Sequence, residues 1–153
     1  MKLRTIALTI AVCFAALTLC FASPVMGTWK LNESKSKIPA GAGKNTTVVY
    51  EAAGDSIKVT VDGVDAEGKP THNEWTGKFD GKDYPLVGDP AANTRAYKTV
   101  SAHKMDLTNK KDGKVTATGT IVVSANGKSR TVTVSATDAM GKKVHYTAVY
   151  DKE

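Results

Sequence analysis

The sequence predicts an all-β protein, an antiparallel up-and-down barrel of about ten strands without a helical lid. From Gly27 onward, short alternating runs rich in Val, Thr and Tyr are separated by Gly, Asp and Asn turns about every ten residues. That spacing is typical of β-sandwiches and barrels. The turns also define strand registers that separate apolar from polar side chains. Closure of such a sheet is favoured because it removes the exposed edges.

The first 22 residues have the layout of a secretory signal peptide, for which we expect a helix. Lys2 and Arg4 precede an apolar run, Ile6–Phe21, of 16 residues. This run is shorter than the ~20 residues that a membrane-spanning helix needs. Cys20 and Ala22 occupy positions −3 and −1 of a cut after Ala22, where small residues are typical.

Two alternatives to cleavage stay open, an uncleaved signal anchor and a lipoprotein modified at Cys20, although Leu19 is bulky for the latter. With cleavage, residues 23–153 form one exported domain, periplasmic or secreted. Both cysteines, Cys13 and Cys20, lie in the removed segment, so the mature chain has no disulfide and no thiol nucleophile. Its core alone must stabilise the fold, and about 131 residues suffice for that.

The charge of the chain indicates a soluble surface rather than a nucleic-acid site. Of 21 basic residues, 19 remain after Lys2 and Arg4 are removed, against 15 acidic ones, for a net charge of +4. The lysines are scattered, and no basic stripe with interleaved aromatic residues is present. We therefore expect no nucleic-acid partner and no stable membrane insertion of the mature chain.

The turn Gly54-Asp55 fixes the register of the first hairpin. Opposed residues in a hairpin share a face, so the right register pairs like with like. This turn gives two apolar pairs on one face and an opposite-charge pair on the other: Tyr50 with Val59, Val48 with Val61, and Glu51 with Lys58.

Two later turns place an arginine on the inner face. Asn126-Gly127 suits a type I′ turn, and its register opposes Val123 with Arg130. The outer face of this hairpin is then rich in threonine. The loop DAMGK extends the pattern, so that Arg130 also faces Tyr150. The inner pairs are Ile121 with Val132, Gly119 with Val134, Ala117 with Ala136, Ala136 with Val144, Val134 with Tyr146, and Val132 with Ala148.

Three further turns complete the ladder of hairpins. Asp80-Gly81 is expected to pair Lys78 with Asp83, Trp75 with Leu86, and Gly77 with Tyr84. The segment SAHK is expected to oppose Val100 with Met105, and KKDGK to bring Leu107 near Val115.

The inner face mixes large and small side chains. Large aromatic residues are Trp29, Tyr50, Trp75, Tyr84, Tyr146 and Tyr150; small ones are Gly77, Ala117, Gly119, Ala136 and Ala148. Such a mixture produces either an interdigitated core or a hollow. A hollow is favoured because ten strands make a wide barrel.

Both ends of the mature domain resemble those of the calycin superfamily. GTWKL (27–31) resembles the Gly-x-Trp start of lipocalins and fatty-acid-binding proteins, in which Gly27 would allow a close turn and Trp29 would plug the barrel. TTVVYEAAGDSIKVTVDG (46–63) resembles the second hairpin of the fatty-acid-binding group, and TAVYDKE (147–153) resembles its closing segment. The resemblance implies a lipocalin-like barrel that binds a lipid or another small ligand.

The chain departs from the fatty-acid-binding group in two respects. Residues 32–45 are too short and too rich in Gly, Pro and Ser for the helix-turn-helix lid that follows the group's first strand. The carboxylate-binding Arg-x-Tyr of the group is Ala148-x-Tyr150 here, and a second family arginine aligns loosely with Val122.

Arg130 supplies a substitute for the missing arginine. A guanidinium removed from water needs a partner, and it matches a carboxylate bidentately. No acidic residue shares its face on either neighbouring strand. Our hypothesis is that Arg130 and Tyr150 bind an anionic head group, with Tyr146, Tyr50, Trp75 and Tyr84 in the ligand site. The alternative is that Arg130, three residues past its turn, reaches solvent at the rim.

Nothing in the sequence indicates an enzyme, a metal site or a cofactor. The mature histidines, His72, His103 and His145, are isolated and lack metal-ligand spacing. His103 is expected in a turn and His145 on the outer face. The predicted function is a monomeric, exported binding protein for a small apolar or amphipathic ligand. The alternative is a closed-core structural, protein-interaction or inhibitor module without a ligand cavity.

Cleavage of the leader gives the first testable prediction. Intact-mass analysis of the exported protein should show a chain that lacks residues 1–22, because the apolar run is short and small residues flank the cut. Full-length protein in the membrane fraction would instead show an anchor, and a diacylated Cys20 would show a lipoprotein.

Overall fold

The computed structural model describes residues 23–138 and 140–153, so the predicted signal-peptide helix lies outside the described residues. The described part contains ten β-strands: β1 (Gly27–Leu31), β2 (Lys44–Ala53), β3 (Ser56–Val64), β4 (Pro70–Gly77), β5 (Tyr84–Val87), β6 (Thr94–Ser101), β7 (Lys104–Lys111), β8 (Lys114–Val123), β9 (Ser129–Thr137) and β10 (Lys143–Lys152).

The ten strands form one closed antiparallel barrel. Each strand pairs with its neighbours in chain order, and β1 pairs with both β2 and β10. The connection 32–43 contains a single 3-10 turn, Glu33–Lys35, capped by the Asn32 side chain, and no helical lid. The predicted ten-stranded barrel is confirmed, and so is the prediction that residues 32–43 form no helical lid. Within the described ranges, no helix is long and apolar enough to cross a membrane.

The two ends of the barrel differ in their connections. We call "turn end" the end at which β1 begins and which carries residues 54–55, 78–83, 102–103 and 124–128. The opposite "loop end" carries the connection 32–43 and the turns at 65–69, 88–93, 112–113 and 138–142. This distinction locates the candidate sites described below.

The predicted registers are confirmed for the β2–β3, β8–β9 and β9–β10 hairpins. Tyr50 opposes Val59, and Glu51 opposes Lys58. The β8–β9 and β9–β10 ladders run unbroken, so that Arg130 opposes Val123 on one side and Tyr150 on the other.

The connection between β4 and β5 is longer and less regular than the two-residue turn predicted at Asp80-Gly81. Trp75 does oppose Leu86, but residues 78–83 form an irregular connection between β4 and β5. The predicted Lys78–Asp83 pair is wrong because each residue has another partner. Lys78 Nζ lies 3.1 Å from Asp55 Oδ2, and Lys110 Nζ lies 2.7 Å from Asp83 Oδ2.

Two predicted pairs on β7 are wrong. Val100 with Met105 fails because of a register shift, and Leu107 with Val115 fails because the turn 112–113 already pairs Val115 with Lys110. A shift between Thr99 and Ser101 opposes Met105 with Thr99 instead of Val100. Another between Asn109 and Lys110 opposes Leu107 with Gly119, whereas Val115 faces Lys110. An irregularity of this kind unpairs a residue and moves all later pairs.

Trp29 closes the barrel interior at the turn end. Gly27 adopts φ +104°, which turns residues 23–26 across this end before β1 begins. Trp29 is fully buried, and its Nε1 donates a 2.7 Å hydrogen bond to the carbonyl of Val25. The indole therefore packs apolar surface and ties the preceding segment to the barrel.

Trp29→Ala should lower the free energy of unfolding by about 3–5 kcal/mol, as for other buried aromatic residues. Urea denaturation measures this loss, with Val87→Ala as a control because Val87 is 69% exposed and should change stability by less than about 0.5 kcal/mol. Equal effects of the two substitutions would contradict the role of Trp29.

Candidate functional site

Arg130 lies inside the barrel and not at its rim, so the rim alternative is wrong. Its side chain on β9 is only 2% exposed. The guanidinium carbon lies 4.7 Å from the ring centroid of Tyr150 and 5.1 Å from those of Tyr50 and Trp29. Its Nη1 donates a 2.9 Å hydrogen bond to the hydroxyl of Tyr50, while Nε has no hydrogen-bond partner.

The charge of Arg130 is incompletely compensated. Within the described residues it forms no ion pair, and its hydrogen-bond acceptor is a neutral phenol. Three aromatic faces attract a cation by about 0.5–2 kcal/mol each, but a buried charge ordinarily needs an opposite charge as well. The Nε of Arg130 also lacks the acceptor that a buried donor ordinarily has.

A second buried arginine, Arg95 on β6, was missed by the sequence analysis. It is 6% exposed, and its Nε donates a 2.7 Å hydrogen bond to Asn109 Oδ1. Its Nη2 lies 3.9 Å from the carboxylate of Asp89. The signal was available, because Arg95 and Arg130 are the only arginines after residue 22 and arginine is a common choice for buried charged sites.

Tyr97 lies between the two arginines and was also missed. Arg95 Nη1 donates to the Tyr97 hydroxyl at 3.4 Å, and the Tyr97 ring meets the Tyr50 ring edge-on with centroids 6.2 Å apart. Trp75 and Phe79 pack on the same ring at 4.8 and 5.7 Å. These aromatic side chains pack against one another inside the barrel and occupy part of its interior.

The structure brings together some of the predicted site residues. Tyr50 and Tyr150 contact Arg130, and the Tyr150 hydroxyl donates a 3.1 Å hydrogen bond to the carbonyl of Asn45. The other three do not contact Arg130. Trp75 Nε1 donates to the carbonyl of Arg95, and the Tyr84 hydroxyl donates to Asp80. Burial raises the pKa of Tyr146, and nearby Arg95 lowers it by a smaller amount.

A cavity of about 480 Å³ opens at the turn end, and we call it the turn-end cavity. Val25 lines it, and the carbonyl of Val25 accepts the hydrogen bond of Trp29, whose ring stacks on Arg130. The Arg130 cluster also adjoins this cavity through Val123, which opposes Arg130 and lines the cavity. The lining residues are Ser23, Pro24, Val25, Phe79, Thr99, Ser101, Ala102, His103, Lys104, Met105, Ile121 and Val123.

The fold is a closed, ten-stranded antiparallel β-barrel, and comparison with solved structures agrees. One similar structure is EF1p2_mFAP2b bound to DFHBI, with a TM-score of 0.51 and 10% sequence identity over 85% of this chain and 94% of that chain. At this identity the likeness shows the fold alone. No protein-family model matches the chain, and no curated protein matches it.

Burial controls the ionisation of the interior phenols. It raises the pKa of Tyr97 and of Tyr150 well above the ordinary value of 10.0, while the nearby arginines lower it by a smaller amount. A raised folded-state pKa stabilises the fold fully below pH 10, and this stabilisation is lost as the pH rises further.

Absorbance at alkaline pH tests this dependence. Tyr97 and Tyr150 should ionise only as the fold is lost, so part of the tyrosinate absorbance should rise together with the loss of near-ultraviolet circular dichroism. Titration of all five tyrosines near pH 10 with the fold intact would contradict the burial of these two phenols.

Proposed function

We propose that the protein is an exported, monomeric binding protein that holds a small amphipathic anion inside its barrel and catalyses no reaction. Arg130 and Tyr150 contact the anionic head. The observation that carries this proposal is the burial of the Arg130 guanidinium without a carboxylate partner among the described residues.

An anion would satisfy the groups around Arg130 better than they satisfy one another. The Arg130 Nε has no partner, and the Tyr50 hydroxyl, which accepts from Arg130 Nη1, keeps a proton of its own to donate. A carboxylate between them would receive charge-assisted hydrogen bonds, which are about twice as strong as neutral ones. The surrounding rings would exclude water from these bonds.

Space for an apolar tail lies next to this cluster. Val123 opposes Arg130 across the β8–β9 ladder and also lines the turn-end cavity. The structure of EF1p2_mFAP2b bound to DFHBI gives an example of a similar barrel with a small ligand. This support concerns the barrel and not the identity of the ligand.

The filled centre of the barrel favours a second candidate, a closed-core interaction module. Tyr97, Trp75 and Phe79 occupy the space in which a long tail would lie. In that case Arg130 would only connect the rings of Trp29, Tyr50 and Tyr150. Substitution of Arg130 separates the two candidates, because they make opposite predictions for stability and binding.

Arg130→Met should weaken binding of decanoate by roughly 10- to 150-fold, the equivalent of losing a hydrogen bond to a charged group. The variant should be as stable as the wild type or more stable, because an apolar replacement of a buried charge removes its desolvation cost. Calorimetric titration and urea denaturation measure the two effects. Decanol should bind weakly to both proteins.

Lys128→Met is the matched control, since Lys128 is an exposed cation of the same hairpin and should leave decanoate binding unchanged. The binding proposal would be rejected if the wild type showed no saturable decanoate binding and the Arg130→Met variant lost much of its folding stability. The same result would support the closed-core candidate.

A further inference from the structure

Phe79 lies between the turn-end cavity and the aromatic side chains inside the barrel. Its ring lines the cavity and packs on Tyr50, Trp75 and Tyr97, with centroid distances of 6.3, 6.2 and 5.7 Å. Those three side chains are buried, and none of the three lines the cavity. The ring of Phe79 therefore separates the apolar space of the cavity from the aromatic interior.

The irregular connection 78–83 holds Phe79 in this position. The carbonyl of Phe79 accepts a 3.2 Å hydrogen bond from the Thr99 amide, and the Gly81 amide donates a 2.9 Å hydrogen bond to the carbonyl of Tyr97. These bonds attach the connection to β6 on both sides of residue 80. Thr99 itself lines the cavity. Because the backbone is fixed and the ring is packed on three others, we expect Phe79 to stay in place when the cavity is occupied.

The cavity wall next to Arg130 is apolar. Val123 opposes Arg130 on the neighbouring strand and lines the cavity together with Met105, Ile121 and Phe79. Each methylene group that leaves water for such a wall strengthens binding about fourfold. This gain ends where the ring of Phe79 closes the apolar space, since a longer chain must leave through the open side of the cavity into solvent.

We propose that Phe79 limits the length of the ligand tail, so that the protein selects anions with a short alkyl chain over those with a long one. This inference rests on the proposed function and narrows the class of its ligand. Phe79 is a specificity-determining residue because its ring occupies the space that would join the cavity to the interior. Without the ring, the apolar space would extend to Tyr50, Trp75 and Tyr97 and would hold a longer chain.

The test is calorimetric titration of the exported protein with straight-chain carboxylates from hexanoate to hexadecanoate. For the wild type, affinity should rise about fourfold per methylene up to a limiting length and then level off. Phe79→Ala should move this limit to longer chains. Phe79→Leu, which keeps more of the side-chain volume and disturbs the fold less, should move it by a smaller amount. Acids shorter than the limit should bind equally to all three proteins.

Leu86→Ala is the matched control. Leu86 is buried in the same core cluster and opposes Trp75, but it does not line the cavity. Both truncations to alanine remove packing and lower stability, which urea denaturation measures. Only the truncation of Phe79 should move the limiting length.

The matching series of n-alcohols separates the length limit from the anionic head group. Alcohols bind through the tail alone, so they should bind more weakly than the acids but show the same limit and the same shift in Phe79→Ala. A limit in both series without a preference for acids would reject the anion site at Arg130 and support the role of Phe79. Acid binding without a limiting length, an unchanged limit in both Phe79 variants, or equal shifts in Phe79→Ala and Leu86→Ala would overturn the role of Phe79 alone. Absence of saturable binding in both series would overturn both proposals.

Discussion

The burial of Arg130 among three aromatic rings is the constraint on which the interior depends. Trp29, Tyr50 and Tyr150 come from β1, β2 and β10, and Arg130 itself comes from β9. These four strands include the β1–β10 pairing that closes the barrel. The guanidinium therefore contacts side chains from strands on both sides of the β1–β10 closure. The rings cannot approach one another further without displacing the charge.

Arg95 and Arg130 are both buried, but their compensation differs. Arg95 has the carboxylate of Asp89 at 3.9 Å and the amide oxygen of Asn109 at 2.7 Å. Arg130 has a phenol and three ring faces. The partners of Arg95 therefore account for its burial, whereas Arg130 keeps a donor, Nε, without a hydrogen-bond partner. This asymmetry locates the anion proposal at Arg130 rather than at Arg95.

The pairing of strands whose apolar and polar residues alternate regularly could be predicted from the sequence. The positions of the register shifts and the way in which side chains fill the interior could not. The turn Asn126-Gly127 fixed the pairs that bring Arg130 to Tyr150, since the side-chain period of two admits one register with a single apolar face. The shifts near Thr99 and Asn109 have no comparable residue signal. The hollow was favoured because ten strands make a wide barrel, and the inner positions of Tyr97 and Phe79 were not recognised from the sequence. Gly77 shows the interdigitation directly, since a Cβ at this position would overlap the ring of Tyr84.

Three buried polar atoms of the described residues have no hydrogen-bond partner, although buried polar groups are ordinarily satisfied. Arg130 Nε and His103 Nδ1 belong to the turn end of the barrel, and the third atom is Asn73 Oδ1 on β4. A fold optimised for stability alone would place apolar groups of similar volume at these positions and avoid their desolvation costs. Departures from local consistency are expected at functional sites. His103 lines the turn-end cavity, and so does Val123, which opposes Arg130 on the neighbouring strand. The proposal of ligand binding near Arg130 starts from this departure, whereas a structural module would rely on the three aromatic rings around the guanidinium instead.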